Sequence, residues 1–510
     1  MKFWPSAEKL KILFVTTEES PFAKVGGLGE VMFSLPRALR RLGHDARVMI
    51  PRYGTIPRNH GLRVIQRGLE VPTSPDNQGP RLACNVLAHE GSGTGPDPAP
   101  TYLLENQEYY ELRSNAYGYI DDRIRFALLS RGALEFLNLY REWTPDVITS
   151  TDCMTGFLPD FLRRDYSKYT RLENIASVFS IHNRASQGPL QHHRFVPETE
   201  RDDGHSPIPD FFGERMNSIN SMRRGILHAD IVNTVSPTYA QEIMTEEFGE
   251  GLDSLLRERR GRLYGILNGI DYETNDPGRD PLLAKNFSSQ TLDDRIENKT
   301  ALQKRFGLPE NKNSFVLGIV SRLQKQKGFD LLRPIIDSLL KSTSGQLIVL
   351  GEGEPEIMQF FHELAGKFPQ QVGVHLQFDD ELSRLIYAGT DVLLIPSLFE
   401  PAGLVQMEAM RFGAIPVANN VGGLADTVED FIPEKDRGTG FLFKEPSSTA
   451  LLIATIRAFV NWRHQEPWQK MQRRAMEKDF SWERSAVEYV ALFEKAIKLH
   501  QTDLKKTDTP

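Results

Sequence analysis

Short apolar runs alternate along the chain with apolar positions at helical spacing, and Gly, Pro, Asn and Asp mark most of the changes between them. The run LKILFVTT at residues 10–17 predicts a first strand. Leu28, Val31, Leu35, Leu39 and Leu42 follow at helical intervals, Gly43 closes the helix, and residues 46–50 predict a second strand. The same order recurs at residues 391–428, DVLLIPSLFEPAGLVQMEAMRFGAIPVANNVGGLADTV. There residues 392–395 read as a buried strand, Pro396 stops it, and SLFEPAG is a loop. Leu404, Met407, Met410 and Phe412 carry a helix to Gly413, residues 415–418 restart a strand, and residues 419–423 make a turn. Strand, loop, helix, strand is the parallel βαβ unit, which binds ligands at the carboxyl ends of its strands.

Between these stretches the pattern predicts strands at TYLLEN, DVITSTD and SVFSIHN and a long amphipathic helix over residues 121–140. Residues 72–100 predict a surface excursion, and residues 196–212 an acidic, Pro-rich loop. IVNTVSPTYAQEI reads as a strand and then a helix with Glu242 in its first turns. ILNGIDYETNDPGRDPLL is dense in turn formers and predicts a domain linker. Beyond it come a helix over residues 298–306, the strand SFVLGIV, the basic loop SRLQKQKG, the helix DLLRPIIDSLL and the strand QLIVLG. Residues 447–460 and 483–500 are helical. Two α/β halves with this common opening predict two doubly wound domains facing across a cleft, residues 1–272 and 273–482, with 483–510 as a C-terminal helix and tail.

Composition narrows the partners. A net charge of −7 over 510 residues argues against nucleic acid or an anionic membrane as the main partner, so any bound phosphate must meet a local basic cluster. No apolar run approaches a membrane span, and the start MKFWPSAEKLK has no signal-peptide core. Cys84 and Cys153 are too few for a disulfide framework, and a reduced, cytoplasmic setting is expected.

Three loops then stand out chemically. Lys24 precedes Gly26 and Gly27; Arg322, Lys325 and Lys327 precede a helix; and the lone carboxylate Glu400 sits just before Gly403 and a helix start. Glycines let backbone approach an anion, and helix N-termini favour one. The Lys-x-Gly-Gly stretch is neither a dinucleotide fingerprint nor a P-loop, and a plain turn explains it equally well. His182 and Asn183 end a strand, a position that raises a histidine above an ordinary surface residue. A carboxylate beside an anion site makes sense if a sugar nucleotide lies there, its diphosphate toward Lys24, Arg322 and Lys327 and its hydroxyls toward Glu400, His182 and Asn183. Fixed cations then act where charge develops on the departing phosphate. No acidic cluster has metal-like spacing, so no metal and no cofactor is expected.

The stretches KILFVTTEESPFAKVGGLGEV, SIHNRASQG, NTVSPTYAQEI, GILNGID, SRLQKQKGFDLL, IPSLFEPAGLVQMEAMRFGAIPV, GGLADTV and DFSWE resemble the bacterial glycogen synthases and plant starch synthases, in the same order over nearly the whole chain. The resemblance implies a GT-B fold, two Rossmann-like domains with the active site between them and a C-terminal helix returning to the N-domain. It implies retaining transfer of glucose from ADP-glucose to the non-reducing end of an α-1,4-glucan, without metal. In that scheme Arg322 and Lys327 neutralise the leaving ADP, Glu400 holds the donor glucose and His182 lines the N-domain wall. Lys24, Gly26, Gly27, Asn183, Gly403 and Leu404 would also line the donor site, and Tyr387 would lie near the adenine.

Departures from the family pattern leave alternatives open. Where the family reads HAHDWHTG this chain reads TSTDCMTG, so Thr149 and Thr151 replace two histidines at the donor sugar and Asp152 persists. Arg184, Ser186, Leu398, Ala402 and Glu408 also depart from the pattern. UDP-glucose as donor, a different acceptor, or a catalytically impaired glucan-binding homologue would each accommodate these changes.

Overall fold

The computed structural model describes residues 8–57, 61–76, 78–90, 99–183 and 202–507. Arg184, Ser186 and the start of the 196–212 loop lie outside them. The chain divides into two compact units, one of Met1–Val235, Ala240–Gly269 and Trp482–Pro510, the other of Ser236–Tyr239 and Ile270–Ser481. The division falls at residue 269 rather than 272 because the Ile270 amide already donates to Phe480 O at 2.8 Å.

Among the described residues the first unit carries nine strands. They are β1 (Lys11–Val15), β2 (Asp45–Pro51), β3 (Arg63–Pro72), β4 (Arg81–His89), β5 (Thr101–Glu105), β6 (Val147–Thr151), β7 (Ala176–Ile181), β8 (Ile231–Thr234) and β9 (Leu263–Gly265), in the sheet order β3-β4-β5-β2-β1-β6-β7-β8-β9. The strands from β5 through β9 run parallel, and β3 and β4 add an antiparallel margin. The central strands are buried along nearly their whole length, which is why their sequences read as continuous apolar runs rather than alternation. Helices α1 (Gly27–Arg41) and α2 (Asp122–Leu139) cover the sheet, and α2 is buried on nearly all sides. The C-terminal helix Trp482–Thr507 belongs to this unit. Phe493 meets Phe14 edge-on at 6.2 Å, Glu483 pairs with Arg41 at 2.8 Å, and His500 Nδ1 lies 3.1 Å from Asp230 Oδ1.

The second unit has six parallel strands among the described residues: β10 (Val316–Val320), β11 (Gln346–Leu350), β12 (Val372–His375), β13 (Val392–Ile395), β14 (Ile415–Asn419) and β15 (Phe441–Phe443). Their order is β12-β11-β10-β13-β14-β15. The sheet is buried on both faces, one packed on helices Phe329–Leu332, Ile336–Thr343 and Ser448–Trp462 and the other on helices Arg295–Arg305 and Asp380–Gly389.

Four sequence readings are corrected. The stretch read as a surface excursion holds β4, whose Cys84, Val86 and Ala88 alternate inward against β5 while flanking Pro and Gly mask the pattern. Pro334 splits the single helix expected over DLLRPIIDSLL into Phe329–Leu332 and Ile336–Thr343. The helix expected to be amphipathic over residues 121–140 runs Asp122–Leu139 and is buried on nearly all sides, Arg125 and Arg131 included. A helix over Gly422–Thr427 begins inside the turn expected at residues 419–423.

Candidate active-site loops

In each unit the loops that matter leave the carboxyl ends of the parallel strands, the edge where α/β sheets bind ligands. In the first unit β1 runs into Glu18, whose Oε2 accepts the Val25 and Gly26 amides at 2.7 and 2.9 Å. Its Oε1 accepts the Tyr117 hydroxyl at 2.6 Å. An internal carboxylate therefore already occupies the amides that the Lys-x-Gly-Gly stretch was expected to turn toward an anion. Lys24 remains on the surface, 2.7 Å from Glu30 Oε1. A Cβ on Gly26 or Gly27 would meet nothing within 4 Å, so no protein contact requires glycine at either place. Next to Glu18, Glu19 is 1% exposed, and burial pushes its carboxyl up to about 8 although the Thr101 hydroxyl bonds it.

The β6 tip differs from expectation. Thr149 and Thr151 are 2% and 0% exposed, so neither presents its hydroxyl to a ligand. Thr151 bonds Thr16 Oγ1 at 3.2 Å, and the Thr149 hydroxyl has no partner among the described residues. The residue that acts at this tip is Asp152. It sits at φ 46°, in the left-handed region a non-glycine residue rarely adopts, and its Oδ1 accepts the His182 and Asn183 amides at 2.8 and 3.1 Å. Burial raises its carboxyl to about 7. His182, so tethered, is pushed down to about 4 by burial, which keeps its imidazole neutral at physiological pH. Its Nε2 is buried and has no partner among the described residues. Asn183 is half-buried beside it.

In the second unit Lys327 Nζ lies 2.5 Å from Glu400 Oε2, with 17% and 13% of the two side chains exposed. The Ser397 hydroxyl donates to the same oxygen at 2.9 Å. Lys327 arrives on the loop after β10 and Glu400 on the loop after β13, and the loops are stitched by Leu398 N to Gln326 O and Gln326 Nε2 to Phe399 O, both 2.9 Å. Gly328 has φ +72°, and a Cβ there would lie 2.0 Å from Pro396 O, so only glycine lets the loops approach. Arg322, earlier on the β10 loop, is exposed and has no ion pair among the described residues. Gly403 has φ +62°, and its amide and that of Leu404 donate no hydrogen bond within the described residues, leaving two N–H groups at the start of helix Val405–Arg411. A pocket of about 40 Å³ lies among Lys327, Ser397, Glu400 and Gly403.

Sequence reasoning missed two features here. The Glu400 loop is gripped from below by the Gly-Gly pair: Gly423 N donates to Glu400 O at 3.0 Å, and a Cβ on Gly422 or Gly423 would fall 2.1 Å from Glu400 O or 1.8 Å from Ala402 O. Tyr387 does not offer a face to a base. It is 2% exposed in the core, with its hydroxyl 3.1 Å from Glu408 Oε2. The available ring on this edge is Phe378, 70% exposed just after β12. Apolar spacing alone could not separate the two rings, since Tyr387 lies on the inward stripe of its helix and Phe378 in a loop.

The loops of the second unit thus carry cations, one paired carboxylate, free amides and an exposed ring, and those of the first unit a neutral imidazole and a lysine. Comparison with known proteins gives the family of the whole chain. The description "Starch synthase catalytic domain" matches residues 11–258 and "Glycosyl transferases group 1" residues 301–477. The chain is 40% identical to glycogen synthase 1 of a Synechocystis species, over 96% of this chain and 95% of that protein. It is also 40% identical to glycogen synthase of Clostridium perfringens, over 96% and 99%. The catalytic domain of starch synthase IV from Arabidopsis thaliana, solved with ADP and acarbose, superimposes with a TM-score of 0.82 at 33% identity, over 96% of this chain and 100% of that one.

Proposed function

The chain belongs to the glycogen and starch synthase family of GT-B glycosyltransferases, and from that premise we propose that it moves glucose from ADP-glucose to the non-reducing end of an α-1,4-glucan with retention of configuration. The observation that carries the donor reading is the Lys327–Glu400 pair with the free Gly403 and Leu404 amides, and the exposed Arg322 lies earlier on the Lys327 loop. On arrival of the diphosphate Lys327 turns from Glu400 to a phosphate oxygen, and Arg322 closes on the same group. Glu400, released, accepts hydrogen bonds from the glucose hydroxyls, and Phe378 gives the adenine a surface to stack on. The bond between the anomeric carbon and the phosphate oxygen breaks, the acceptor hydroxyl oxygen bonds that carbon, and its proton passes to the departing phosphate. Charge grows on the diphosphate in this step, where fixed cations in a poorly solvated site contribute most. His182, neutral, is the first unit's candidate for a sugar hydroxyl.

Side-chain cations take the part a metal would play, and no cofactor is required. No helix among the described residues is long and apolar enough to cross a membrane. Cys84 and Cys153 are both buried and free, in keeping with a reduced cytoplasmic setting. The test offers ADP-glucose and UDP-glucose separately with glycogen and follows nucleoside diphosphate release, with and without EDTA. Glycogen-dependent ADP release unaffected by EDTA is expected. UDP release alone would overturn the donor assignment.

A further inference from the structure

A pocket of about 290 Å³ lies in the second unit, away from the Glu400 loop, where the segment after residue 270 packs on residues 476–479. Its floor is apolar, formed by Phe287 and Met476, each 3% exposed. Its walls are polar and largely fixed. The Arg411 guanidinium stacks 4.6 Å over the Tyr272 ring and lies 3.5 Å from Asp276 Oδ1. The Ser289 hydroxyl donates to Glu477 Oε1 at 3.1 Å. Gln290 adds an exposed amide.

This chemistry selects its ligand. A phosphate or carboxylate would face Asp276, Glu477 and Asp479, and a bare cation would face Arg411 and Lys478. A neutral polyol meets neither conflict, because each hydroxyl both donates and accepts and so fits walls that alternate carboxylate, guanidinium, hydroxyl and amide. An apolar floor suits the C–H face of a pyranose ring. The volume sits at the lower end of ligand pockets, about 300–1,000 Å³, roughly the room for one or two sugar rings.

We infer that this pocket is a second saccharide site that anchors the α-glucan chain apart from the transfer site. The inference rests on the glucan reading above for the identity of the saccharide, not for the existence of the pocket. Two sites on one chain raise the effective concentration of a long acceptor at the transfer site, so long glucans gain and short ones do not.

The test is equilibrium dialysis of labelled maltotriose against the full chain and two variants, Gln290→Ala with Glu477→Ala, and Ser289→Trp, which fills the pocket. All of the altered positions lie at the pocket mouth, and melting curves confirm that each variant folds. About two sites in the native protein and about one in both variants is the expected result. A roughly fivefold or greater rise in KM for glycogen should accompany it, with kcat on short maltooligosaccharides unchanged. About one site in the native protein and none in the variants would keep the pocket and overturn the acceptor assignment. Equal stoichiometry in native protein and variants, or no binding at all, would overturn the pocket.

Discussion

Replacing Gly423 by alanine tests whether the Gly-Gly pair sets the position of Glu400. The new Cβ would stand 1.8 Å from Ala402 O, and the two atoms must part by about 1.2 Å to reach even 3.0 Å, the closest approach real side-chain carbons make. Backbone on both sides resists. Gly423 N is bonded to Glu400 O, and Gly422 is already held at φ +43° against the same loop. The Glu400 loop therefore shifts outward by about 1 Å, and a misplacement of that size at a reacting centre costs about 10²-fold in rate. Overpacking of this kind costs about 1–3 kcal/mol, or about 5 °C in Tm for a unit of this size. The assay is ADP release at saturating ADP-glucose and glycogen, with melting followed separately. A folded Gly423→Ala protein with kcat within threefold of the native value would refute the argument. Gly26→Ala is the control, because its Cβ would meet no protein atom within 4 Å. Its Tm should stay within about 1 °C of native, and any loss of activity then reports ligand approach alone.

Three further outcomes are expected. Lys327→Ala leaves Glu400 with only the Ser397 hydroxyl, and steady-state kinetics should show kcat down by about 10²–10³; a loss below tenfold would remove Lys327 from the transfer step. Phe378→Ala deletes the exposed ring, so the KM for ADP-glucose should rise by about tenfold or more, from about 1–3 kcal/mol of base stacking, with kcat little changed. Glu19 has its folded pKa raised from 4.5 to about 8, so its contribution is fully present below pH 4.5 and lost as pH rises through 8. Thermal melts between pH 5 and 8.5 should fall less steeply for Glu19→Gln than for native protein, and parallel slopes would show that Glu19 does not titrate there.

The sequence made the parallel strands legible because burial on both faces writes them as unbroken apolar runs, as in ILFV at β1 and VLLI at β13. The antiparallel strand β4 left a weaker trace, since Cys84, Val86 and Ala88 alternate among polar residues between Gly and Pro clusters. At the site, Lys24, Arg322, Lys327, Glu400 and His182 were identifiable as charged or titratable groups in loops after strands. What stayed hidden depends on depth and on long-range pairing. Nothing local says that Tyr387 faces the core while Phe378 faces out. Nor does local sequence pair Glu18 with the amides of Val25 and Gly26, or place the Gly-Gly pair of one loop beneath the carboxylate of another. Thr149 and Thr151 show the same limit, since a residue at a strand tip can point to solvent or to its neighbouring strand.

The resting contact between Lys327 and Glu400 carries a consequence for life in a phosphate-rich cell. A lysine without a partner would hold orthophosphate, ATP or any passing phosphate ester, and the transferase would spend its time inhibited. Here any anion that would take Lys327 must first displace a carboxylate that sits 2.5 Å from the ammonium group. Orthophosphate gains one cation and leaves Glu400 stranded in a poorly hydrated place. A sugar nucleotide takes the cation and at once gives Glu400 hydroxyls to bind in exchange. The pair therefore works as a two-key lock, opened at little net expense only by a ligand that brings phosphate and sugar together.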